Sequence, residues 1–110
     1  MNFNEYQVLT RRTRSAACTA SLEALMLNGI LGAGGESGEL LDMLKKSMFQ
    51  GHELVEEDVV KEVGDILWYL AEIMDALGQP LEVAATRNIE KLKKRYPDGF
   101  SVEASLNREE

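Results

Sequence analysis

A chain of 110 residues has room for one compact domain, spanning 1–110, and leaves none for a second catalytic domain. With 45% hydrophobic and 28% charged residues, it has the composition of a folded globular protein. Its formal charge of −7 is the wrong sign for a broad basic face that follows a phosphate backbone, so bulk nucleic-acid binding is not expected.

Nothing between Pro80 and Pro97, or before Pro80, shows the two-residue alternation of a half-buried strand, so the expected fold is all-α. A first helix is predicted over Asn4 to Cys18, with Tyr6, Leu9 and Thr13 on one side. A second runs from Ser21 to Phe49 and carries Gly29, Gly32, Gly34, Gly35 and Gly38. Each of these costs up to about 1 kcal/mol against alanine, so the cluster predicts a kink or a close backbone approach. The third, Glu56 to Leu77, has the clearest period: Val59, Val63, Ile66, Leu70, Ile73 and Leu77, widened by Val60, Leu67 and Met74 into a core face. Gly78 stops it, and a fourth helix from Pro80 to Tyr96 buries Leu81, Ala85, Ile89, Leu92 and Tyr96. Residues 101–110 read as a polar, mobile tail. The architecture is an antiparallel bundle of about four helices whose core is completed by oligomerisation, because Trp68, Leu25 and Leu27 lack an obvious partner within the chain.

The lone Cys18 forms no intrachain disulfide, and no Cys/His cluster has zinc-binding spacing. No apolar run of 18 residues occurs, and the N-terminal MNFNEYQVLTRR lacks a signal pattern, so a cytoplasmic protein that does not engage membranes is expected.

The chemistry concentrates in carboxylates. Glu36 and Glu39 are three apart on the second helix, and Glu62 and Asp65 repeat that spacing on the third, so each pair shares a face. Glu36 falls within the apolar arc of Ala33, Leu40, Met43 and Leu44, where an ionised group is costly unless paired or bound to a cation. Solvated surface pairs explain this poorly, since Glu36, Glu39 and Glu62 have no lysine or arginine three or four residues away. Four inward carboxylates make an all-oxygen cage suited to Mg²⁺, with Mn²⁺ as the alternative. Neither pair is followed by the histidine of carboxylate-bridged iron bundles, and His52 sits in a loop where a solvated or capping role is expected. The glycine run lacks the lysine and Ser/Thr of a P-loop. Lys45, Lys46, Asn88, Lys91 and Arg95 are the candidate contacts for a polyphosphate. Trp68 points away from its seam and is expected to be an exposed indole covering either a subunit interface, the favoured reading, or a nucleobase.

These residues, with Gly35 to Leu40, Lys61 to Leu70 and Asn88 to Phe100, resemble the MazG-like all-α nucleoside triphosphate pyrophosphohydrolases. The family pattern of two acid pairs falls on Glu36, Glu39, Glu62 and Asp65, to which the resemblance assigns the catalytic metal. It implies Mg²⁺-dependent cleavage between the α and β phosphates of a nucleotide, in a dimer or pair of dimers with sites near the interface. A phosphoribosyl-ATP or dUTP/dCTP-type pyrophosphohydrolase is the neighbouring alternative. A non-enzymatic helical oligomer that binds nucleotides is the alternative from a different class.

Overall fold

The computed structural model describes residues 1–108 as an all-α fold. α1 (Phe3–Thr10) leads through a 3-10 turn (Arg11–Thr13) to α2 (Leu22–Phe49), α3 (Glu56–Ala76), α4 (Leu81–Arg95) and the short α5 (Val102–Leu106). Side-chain caps set three of the starts: Asn2 accepts from the Glu5 amide, Ser21 from Ala24 and Ser101 from Ala104. At the end of α3, Gly78 takes φ +66, while the Gly78 and Gln79 amides return to the carbonyls of Asp75 and Met74. This is a Schellman stop, as the Gly78–Pro80 signal predicts. No helix among the described residues is long and apolar enough to cross a membrane.

α2 and α3 form an antiparallel hairpin. Its register follows from paired contacts whose residue numbers rise on one helix as they fall on the other: Asn28 with Glu72, Gly32 with Tyr69, Glu36 with Glu62. The glycine cluster therefore produces close approach, and α2 stays continuous. A Cβ on Gly29 would lie 2.7 Å from Ile73 Cγ1, and one on Gly32 would lie 2.2 Å from the Tyr69 ring. Gly34, Gly35 and Gly38 face open space and contribute nothing to that approach.

Three expectations need correction. The first helix ends at Thr10, well short of Cys18, because its polar side chains bond the local backbone: Thr10 Oγ1 donates to Gln7 O, Thr13 Oγ1 to Thr10 O, and Ser15 Oγ accepts from Cys18 N. Its buried face is polar, with Gln7 and Thr10 inside and Leu9 half exposed. The α3 seam is only partly covered: Val63, Leu70 and Leu77 remain exposed, as does Ile89 of α4, while the fully buried positions of α3 are Ala71 and Glu72. Residues 102–106 form a capped helical turn within the stretch expected to be a polar, mobile tail; positions 109–110 of that tail lie outside the described residues.

One side of the hairpin carries α1 and α4, and much apolar surface remains uncovered. The radius of gyration is 17.1 Å, against roughly 13 Å for a closed domain of this length.

Candidate functional site

The antiparallel register brings the middle of α2 opposite the N-terminal half of α3, and three of the four predicted acids meet there. One carboxylate oxygen from each of Glu36, Glu62 and Asp65 lies within 4.8 Å of the other two. Glu36 and Glu62 are half-buried and Asp65 is exposed. Glu39, one turn along α2, is exposed and outside this triad, yet its charge still acts on Glu62.

Glu62 is the strained member. Its pKa is pushed up to about 7, first by the hydrogen bond to Glu36, then by desolvation, then by the charges of Glu36, Asp65 and Glu39. Each of these influences raises it, and no cation opposes them. Its Oε2 is shielded from solvent and has no hydrogen-bond partner. An oxygen-rich corner in which one acid holds its proton well above the ordinary carboxylate range fits a hard divalent cation, which would satisfy the orphaned oxygen and neutralise the mutual repulsion.

Two of these acids, Glu36 and Asp65, also line a cleft of about 380 Å³ together with Thr13, Trp68 and Tyr69. Here the structure corrects the reading of Trp68. The indole is half-buried and has partners within the chain: its Nε1–H donates to Thr13 Oγ1 at 3.1 Å, and its ring meets Tyr69 edge-on at 5.0 Å and 87°. Leu25 is likewise buried, whereas Leu27 is exposed as expected. Tyr69 was not singled out in the sequence, although its four-residue step beyond Asp65 puts it on the same face of α3. No sequence signal points to Thr13, which arrives from a separate element.

Of the predicted phosphate contacts, Lys46 feels the charge of Glu39, and both lysines are engaged within α2. Lys45 and Lys46 pair with Asp42 on their own helix at 3.2 and 2.8 Å. Those bonds, Lys46 first, hold the Asp42 carboxyl below its ordinary value. Asn88 and Lys91 lie exposed on α4, and Arg95 is half-buried beside Tyr96, its guanidinium 5.8 Å from that ring. His52 is an exposed loop residue whose amide bonds to Lys46 O.

A second polar cluster went unpredicted. Glu72 is fully buried, accepts from Asn28 Nδ2 at 2.6 Å and lies 3.8 Å from Arg14 Nε. Asp75 takes bonds from Arg14 (2.6 Å), Arg11 (3.0 Å) and Gln7 (2.8 Å). Gln7 also caps α4, accepting from Leu81 N and donating to Gln79 O. This network fastens the N-terminal segment, and Thr13 with it, to α3.

Comparison with known proteins accords with this geometry. The MazG nucleotide pyrophosphohydrolase domain matches residues 27–100, which include all four acids, Trp68 and Tyr69. The "Gene 37 protein" of Mycobacterium phage L5 is 29% identical over 82 residues, covering 71% of this chain and 72% of that protein. No solved structure matches significantly.

Proposed function

The chain belongs to the MazG nucleotide pyrophosphohydrolase family, and from that premise we propose that it hydrolyses a (deoxy)nucleoside triphosphate between the α and β phosphates, releasing monophosphate and pyrophosphate. The observation that carries this reading is the convergence of Glu36, Glu62 and Asp65 around the unpartnered Oε2 of Glu62. These three, with Glu39 beside them, are the ligands for Mg²⁺ or Mn²⁺. When bound there, the ion supplies neutralisation of phosphate oxygens and polarisation of a water.

The other features support attack at the α phosphorus. Cleavage at the γ phosphorus calls for a P-loop or an equivalent backbone nest gripping the terminal phosphate. The glycine run from 29 to 38 lies inside α2, so its amides are committed to helical carbonyls. The acidic corner opens into the cleft of Thr13, Trp68 and Tyr69, which suits a nucleoside held beside the reacting phosphate. Lys45, Lys46, Asn88, Lys91 and Arg95 are proposed to meet the departing pyrophosphate. The chain is proposed to act in the reducing cytoplasm, which suits the buried free thiol of Cys18.

Self-association to a dimer or tetramer belongs to the same proposal. Leu27, Ile30, Leu31, Leu41 and Leu44 are exposed along α2, with Val63 on α3, a larger apolar surface than a monomer ordinarily carries. Light scattering is expected to return at least twice the 12.3 kDa chain mass; a single-chain mass across micromolar concentrations would reject association.

The deciding experiment is a nucleotide panel with Mg²⁺ that separates pyrophosphate from orthophosphate in ¹⁸O water. Label in the monophosphate is expected. Label in orthophosphate or pyrophosphate refutes α attack, and a panel without turnover favours the nucleotide-binding oligomer.

A further inference from the structure

The cleft beside the acids has a wall more tightly built than its exposure requires. Trp68 stands three residues after Asp65, one turn away and about 4.5 Å along the axis of α3. Its single polar group is committed to Thr13 Oγ1 at 3.1 Å, and the Thr13 hydroxyl in turn donates to Thr10 O at 3.3 Å. The turn bearing Thr13 is anchored by Arg11 and Arg14 on Asp75. On the other side the indole meets the edge of Tyr69, whose ring fills the space left by the missing side chain of Gly32. A side chain held by a hydrogen bond and a ring contact before any ligand arrives is preorganised, so little freedom is lost when something lies against it.

We propose that Trp68 is the substrate-contacting shelf for the nucleobase and that Thr13, from outside the family-matched segment, is the positioning residue that fixes it. The assignment rests on the nucleotide reading of the acidic corner and deepens it. With its N–H committed, the indole offers a ligand only apolar ring surface. Such a surface accepts planar bases by stacking, with little discrimination among them.

Trp68 is the only tryptophan, so intrinsic fluorescence reports on the shelf directly. Wild-type protein is titrated with a nucleoside monophosphate, with ribose 5-phosphate and with inorganic pyrophosphate, each with Mg²⁺, while pyrophosphate release from triphosphates is assayed on the same preparation. A saturable emission change with the nucleotide alone is expected. Thr13→Val is expected to raise KM roughly 2- to 10-fold, the loss of one hydrogen bond, with kcat within about twofold, and Thr13→Ser to restore it. A merely structural Thr13 would lower thermal stability without that split. If triphosphates are cleaved but Trp68 responds equally to pyrophosphate or to nothing, the shelf falls and the hydrolase reading stands. Emission that follows protein dilution instead of nucleotide makes Trp68 an interface residue and overturns the proposal. Absence of both turnover and nucleotide-dependent emission overturns both readings.

Discussion

α3 carries the same acid spacing twice, Glu62 with Asp65 and Glu72 with Asp75, about 15 Å apart along the helix. What lies opposite makes them different objects. Glu72 and Asp75 meet Arg14, Arg11, Asn28 and Gln7, so three of their four oxygens accept a hydrogen bond, and the fourth, Glu72 Oε2, has no hydrogen-bond partner but lies 3.8 Å from the Arg14 guanidinium. Glu62 and Asp65 meet another acid, Glu36, and one oxygen of Glu62 has no partner. The first pair is a structural clamp that joins α1, α3 and α4. The second carries electrostatic strain that a cation would relieve. Motif spacing alone cannot tell them apart, because the discriminating groups come from other elements.

Breaking the clamp should have the largest effect. Arg14 is 5% exposed and Glu72 fully buried, so Arg14→Ala leaves Glu72 without its cation in a dry site, while Asp75 keeps Arg11. The expected loss is about 3–5 kcal/mol, the usual cost of removing one partner of a buried ion pair, read as a lower midpoint in denaturant. A loss below 1 kcal/mol would show that the network is wetter than its burial indicates.

The acidic corner should answer in the opposite way. Glu62→Gln removes a ligand and a repulsion together. Mg²⁺-dependent turnover should fall roughly 100-fold or more, beyond what changing a ligand's supporting partner costs, while stability without metal holds or rises. Full turnover in this variant would remove Glu62 from the site.

A smaller contrast lies within α2. Gly32→Ala gains up to about 1 kcal/mol of helix propensity, but the new Cβ enters the Tyr69 ring, and overpacking costs about 1–3 kcal/mol. Net destabilisation is expected. Gly34→Ala meets open space, so propensity alone acts and thermal stability should rise. Two losses of equal size would mean that the glycines share a packing role.

The all-α class, the stop at Gly78 and the face shared within each acid pair were legible because each depends on period or local chemistry within one helix, whereas the meeting of Glu36 with Glu62 and Asp65, and the absence of Glu39 from it, follow from how α2 lies against α3. The end of α1 was not, since hydroxyl bonds to the local backbone at Thr10, Thr13 and Ser15 override a moderately good helical pattern. Gln7, Thr10 and Glu72 were missed because hydropathy reads polar residues as surface, whereas here each is buried with a hydrogen-bond partner. The intrachain partner of Trp68 was not legible because Thr13 lies 55 residues earlier in the chain.

The finest test of the two ends is pH. For Asp75, desolvation favours the protonated form, but bonds from Arg11, Arg14 and Gln7 outweigh it and hold the folded pKa below 3.8. The folded state then binds its proton less tightly than the unfolded chain does, so this stability is present above the ordinary carboxylate range and is lost as pH falls through the folded value. For Glu62 the sign reverses. Its folded pKa of about 7, against 4.5 when unperturbed, reflects Glu36 first, then desolvation, Asp65 and Glu39. The metal-free fold should therefore gain stability as pH falls from about 7 towards 4.5, and lose it on the way back up. Denaturation of chelator-treated protein should thus show two limbs of opposite slope. Asp75→Asn should abolish the acid limb and Glu62→Gln the near-neutral one. Saturating Mg²⁺ should also remove the near-neutral limb, since a bound cation favours the ionised carboxylate. A near-neutral limb that persists in Glu62→Gln would assign the strain to another group.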